Sequence, residues 1–161
     1  MMWLEAVIHW LHLMAAVTWI GGMIFTAFVV QPVLRAALDD TTRITLYRDI
    51  GRRFKTIQIA ALCVLLATGS YKLFGLRESP DIFYSPFGYV LATKLVLVLI
   101  VVILSYRHSY VWGPQLIEAA VRPGPAMGQL AKKLYFWGRI NLALSLAVIF
   151  CAVLLRFNPF Y

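Results

Sequence analysis

The chain has 161 residues, 61% of them hydrophobic, and a formal charge of +8, with a mean hydropathy of +0.78. Soluble domains sit nearer half apolar, which excludes a second, soluble domain and leaves one membrane domain over residues 1–161. The positive charge would suggest nucleic acid on a soluble protein; here it lies between hydrophobic spans, the positive-inside pattern, so the bilayer and not nucleic acid is the expected partner.

The first span covers about 4–32, ending at Pro32. After Glu5 it carries no ionisable residue except His9 and His12 until Arg35. About 20 apolar residues cross a bilayer, so this segment spans with length to spare. It is too long for a signal-peptide core and lacks a basic n-region, so it is expected to stay attached. His9 and His12 sit three apart, neighbours on one helical face. An ionisable side chain inside a membrane is costly and normally faces the protein interior. Thr18, Gly21 and Gly22 follow, and small residues let a second helix come close.

The remaining spans are expected at about 55–74, 88–112 and 134–156, the third ending at Gly113-Pro114 and the fourth at Arg156. Their apolar runs are continuous and do not alternate, so the fold class is an all-α integral membrane four-helix bundle and not a barrel. Residues 39–53 read as a short helix along the membrane surface, 75–87 as an aromatic cap, and 122–128 as a turn-rich linker. No internal repeat is visible. Cys63 and Cys151 form no C-x-x-C pair, and packing is the role expected of both.

Residues 33–55 and 107–139 hold eleven of the fifteen basic residues. That bias puts both of these loops in the cytoplasm and both termini on the outer, periplasmic face of an inner membrane. At about 1.5 Å per residue, His9, His12 and Lys94 then share an outer polar layer, with Thr68 and Tyr71 at the outer end of the second span. His108 lies roughly 21 Å deeper than Lys94, in an inner layer with Arg107, Arg139 and Asn141. His12 and His108 are therefore too far apart to be the two axial ligands of one haem. Bland roles stand beside these: Lys94 snorkels to the headgroups, His9 sits at the interface beside Trp10, and His108 anchors at the opposite interface. Trp19 and Trp137 read as packing residues. Met1, Met2, Met14 and Met23 are soft ligands suited to Cu(I) but form no M-x-x-x-M cluster.

The stretch L-H-L-M-A-A-V-T-W-I-G-G-M at 11–23 resembles the first helix of the CopD-type copper-resistance membrane proteins. R-R-F-K at 52–55, L-L-A-T-G-S-Y at 65–71, S-P-F-G-Y-V-L-A-T-K-L-V-L-V at 85–98, H-S-Y-V-W-G-P at 108–114 and G-R-I-N-L-A-L at 138–144 resemble that family's pattern in order and spacing. The same skeleton is similar to the HemJ-type protoporphyrinogen oxidases, four-helix proteins that bind haem b. In that family a first-helix His and a third-helix Lys are essential, and these match His12 and Lys94. After Gly22 the chain departs: M-I-F-T-A-F-V-V-Q-P stands where an Arg and a Tyr-His are expected. That departure counts against porphyrinogen oxidation and leaves haem binding open.

Three functions follow as expectations. In the first, haem b sits in the bundle with His12 as axial ligand and Lys94 as second ligand or propionate partner. It would pass electrons between quinone or porphyrin and a redox partner; an enzymatic role would then be that of a haem-dependent oxidoreductase. In the second, His9 and His12 hold copper ions for transport or resistance. In the third, the chain is an accessory subunit of a larger membrane complex, or a homo-oligomer. There is no phosphate loop and no Ser-His-Asp spacing.

Overall fold

In the computed structural model, residues 2–76, 84–121 and 124–157 are described. Most of the aromatic stretch 75–87, and residues 122–123 of the linker, lie outside them. Helix α1 spans Met2–Phe25, α2 Gln31–Ala37, α3 Asp40–Gly75, α4 Pro86–Arg107, α5 Gly113–Val121 and α6 Pro125–Phe157. Four continuous helical stretches are long and apolar enough to cross a membrane: Met2–Ala37, Thr42–Gly75, Pro86–Val121 and Met127–Phe157. A helix of 36 residues is about 54 Å long, well beyond a hydrocarbon core of about 30 Å, so each projects past it.

Contrary to the stops expected from the sequence, Pro32 and Pro114 both lie inside continuous helical stretches. Each is preceded by one π-helical segment, Thr26–Val30 before Pro32 and His108–Trp112 before Pro114. A proline at position i offers no N–H to the carbonyl at i−4, and its ring collides with that carbonyl. The carbonyls concerned belong to Phe28 and Tyr110, inside the two π segments. The wider turn instead bonds the Gln31 N–H to the Thr26 carbonyl and the Gly113 N–H to the His108 carbonyl. The helix thereby continues without stranding backbone groups in lipid.

The other boundaries have local causes. Asp39 accepts the Thr42 N–H at 3.0 Å and starts α3. Residues 40–53 then run into the second span as one helix, not as a separate surface helix, because Gly51 alone does not break it. Ser85 caps α4, accepting from the Gly88 N–H at 3.4 Å, with Pro86 in the first turn. Helix α6 opens at Pro125, inside the expected linker, because proline suits a first helical position.

Helix α1 packs along α3, and α4 along α6. Ala15, Trp19, Ile20, Ala61, Val101 and Leu142, drawn from all four, form the shared core. The chain exposes 11106 Å², against roughly 8,000 Å² for a soluble monomer of its mass. Leu95, Val96, Leu99 and Ile103 of α4 face outward, as a lipid-facing helix requires. Cys151 is buried, whereas Cys63 is exposed and does not pack in the interior. Gly22 marks a close approach, since a Cβ there would run into the Phe54 ring; Gly21 faces open space.

The fold also repeats where the sequence reading found no repeat. Each half is a spanning helix, a π segment, a proline two residues later, a short helical extension and a return helix. His12 precedes Pro32 by twenty residues, and Lys94 precedes Pro114 by twenty. The two residues therefore occupy equivalent positions in the two halves.

Candidate functional site

His12 is half-buried on α1 and faces α3. Its Nδ1 lies 2.7 Å from Thr68 Oγ1. The Thr68 hydroxyl is 2.6 Å from the Val64 carbonyl four residues back and donates to it. With that proton committed, Oγ1 can only accept from His12, so Nδ1 carries the hydrogen and Nε2 keeps a free lone pair. A second group that fixes the tautomer in this way is what a metal-ligating imidazole requires. Gly69 provides the space: a Cβ there would stand 3.6 Å from His12 Cε1.

His9 is in the opposite condition. It is exposed, and the Lys72 ammonium donates to its Nδ1. Its lone pair is occupied, and Nε2 bears the proton. Of the two first-helix histidines, His12 is thus the one with an open ligand position. His9, Lys72, Glu5, Ser70 and Tyr71 line an open cleft of about 700 Å³ at this end of the bundle, within the range of small-molecule sites. Thr68 joins His12, while Tyr71 opens onto the cleft.

Lys94 is half-buried on α4. Lys94, Lys72 and His9 are the charged or titratable groups within electrostatic reach of His12, and Lys94 itself lies within reach of Lys72 and Cys151. Helix register sets the depth. The Asn141–Ser105 contact aligns α6 with α4, and the Ser145–Met23 contact aligns α6 with α1. By that register Lys94 lies about four residues, or about 6 Å, further along the bundle than His12, a gap comparable with the length of a lysine side chain.

The inner residues divide. Asn141 Nδ2 donates to Ser105 Oγ at 2.8 Å, while its buried Oδ1 has no partner among the described residues. His108 opens the second π segment with Nε2 beside Gly138. Arg139 lies over Tyr135, and Arg107 over Trp112. Trp19 is in the core, and Trp137 stacks on Trp112 at 5.8 Å. Met14 is exposed and Met23 accepts from Ser145, so neither completes a soft-ligand set. Among the described residues no three His, Cys, Asp or Glu side chains converge on a possible metal ion.

The Thr68 acceptor was missed by the sequence reading as the partner that fixes the His12 tautomer. Its signal was the spacing of Thr68 and Gly69 on the return helix, which puts an acceptor and a gap at the level of His12.

A four-span helical membrane protein with the His12 imidazole half-buried between α1 and α3 is the class that fold and site define. The sequence matches the family model of copper resistance protein D, CopD, over residues 48–155, about two-thirds of the chain, and the chain belongs to that family. The match begins within α3 and so does not include His12. An uncharacterized protein of Aquifex aeolicus (strain VF5) is 26% identical over 165 residues, covering 97% of this chain and 98% of that protein. No solved structure matches.

Proposed function

We propose that this CopD-family membrane protein binds haem b at His12 and serves membrane electron transfer. The observation that carries the reading is the His12–Thr68–Val64 chain, which leaves Nε2 unprotonated. Haem brings four ligands of its own, so one histidine is enough to hold it. Lys94 and Lys72, both within reach of His12, suit the two propionates of the group. Gly69 leaves the imidazole unobstructed on one side. Bound there, haem b would supply a one-electron couple inside the bilayer.

Copper as cargo is the second reading, and the family's description favours it. His12 Nε2 is a competent copper ligand. Against it, no three-residue ligand group is found among the described residues, His9 is engaged by Lys72, and two ammonium groups repel a bare cation.

The test is an absorption spectrum of the detergent-purified protein, oxidised and dithionite-reduced, with metal analysis of the same sample. A Soret band with reduced α and β bands, lost in His12→Ala and kept in His108→Ala, supports haem at His12. Loss of the haem in His108→Ala alone overturns that assignment. A colourless protein carrying copper transfers the function to copper handling. A sample with neither, from cells supplied with both, leaves an accessory subunit of a membrane complex.

A further inference from the structure

The basic end of the bundle holds a cluster for which the haem site has no use. Arg35 of α2 and Arg139 of α6 both lie on the Tyr135 ring, at 4.4 and 4.2 Å from its centroid. Tyr47 of α3 lies within electrostatic reach of Arg35, Arg43 and Tyr135, so three helices converge here. Both rings are half-buried, whereas both guanidinium groups are exposed.

A guanidinium stacked on a ring uses its face, and its N–H donors radiate in the plane, free for an anion. Sharing one ring holds the two guanidinium carbons no more than about 9 Å apart. That limit leaves both guanidinium groups within reach of one phosphate, since each bidentate guanidinium carbon lies about 4 Å from phosphorus. Among the described residues neither arginine is ion-paired; Asp49 is taken by Arg48 and Arg52. Two like charges are thus held close together by an uncharged ring. Phe136, beside Tyr135 in sequence, and Val33, two residues before Arg35, are exposed apolar residues. Arg35 and Arg139 belong to two of the helical stretches long and apolar enough to cross a membrane, so lipid headgroups are the phosphates that a bilayer brings to this end.

We propose that Arg35 and Arg139, held by Tyr135, bind the phosphate of an anionic phospholipid headgroup. Their place on membrane-spanning helices favours a lipid over free phosphate. A diffuse positive-inside charge predicts something different: every basic residue at this end would count alike.

The experiment follows thermal unfolding of the detergent-solubilised full chain during titration with dioctanoyl phosphatidylglycerol, dioctanoyl phosphatidylcholine or inorganic phosphate. The expected result is a rise in Tm with phosphatidylglycerol alone. R35Q/R139Q should weaken the apparent affinity at least tenfold, and R48Q/R52Q should leave it within twofold. Equal loss in R48Q/R52Q, no loss in R35Q/R139Q, or an equal response to phosphatidylcholine or inorganic phosphate overturns the proposal. If R35Q/R139Q does not fold, R35K/R139K keeps the charge and removes the fork. An unchanged affinity in that variant overturns the proposal as well.

Discussion

Thr68 accepts the Nδ1 hydrogen of His12 across 56 positions of sequence, at 2.7 Å. The bond ties α1 to α3 and fixes which imidazole nitrogen remains basic. Thr68→Val keeps the shape of the side chain and removes the acceptor. With haem at His12 as proposed, its affinity should fall about tenfold or more, as for other partners that orient a ligating histidine. Thr68→Ser should restore it. Haem titration of the purified variants is the check, with helix content followed in parallel.

His9 gives the opposite expectation. Its lone pair is engaged by Lys72, so His9→Ala should retain the cofactor at wild-type stoichiometry while His12→Ala loses it. A pyridine haemochrome assay on both variants decides the matter. Equal loss in the two would mean that the histidines act together.

Gly22 should not tolerate a methyl group, because the Phe54 ring fills that space. Gly22→Ala is expected to cost about 1–2 kcal/mol through overpacking. Gly21→Ala should be near neutral, since open space lies beside it. Adding Phe54→Ala to Gly22→Ala should recover much of the loss in a double-mutant cycle. Unfolding in detergent measures all four corners.

Asn141→Leu removes the bond to Ser105 and also the buried oxygen without a partner. Interhelical hydrogen bonds in membranes average about 0.6 kcal/mol. The substitution should therefore change stability by less than about 1 kcal/mol, and cofactor content should not change. A larger loss would give the α4–α6 contact more weight than its geometry indicates.

The four spans were legible because hydropathy reports composition, and composition decides whether a helix crosses lipid. Facing was less legible. Cys63 and Cys151 sit in equally apolar runs, yet only Cys151 is buried. Gly21 and Gly22 are adjacent, yet only Gly22 meets a neighbour. Both distinctions depend on helix phase, a rotation of about 100° per residue, which an all-round apolar run does not reveal. The prolines misled for a related reason: Pro32 and Pro114 carry a stop signal, and the π segments that absorb it have no composition of their own. The pairing of His12 with Thr68 needed the register of α1 on α3, a tertiary quantity. The spacing that makes His12 and Lys94 equivalent was present in the sequence, but the flanking residues are too dissimilar for it to stand out.

The repeated helix–turn–return plan bears on how the molecule could be built. Helices α1 to α3 and α4 to α6 are each complete hairpins, joined by the chain between Leu76 and Tyr84. A chain cut there would leave two hairpins of the same plan, each with two helical stretches long and apolar enough to cross a membrane. His12 would fall on one and Lys94 on the other, so their electrostatic contact exists only when the two hairpins are packed together.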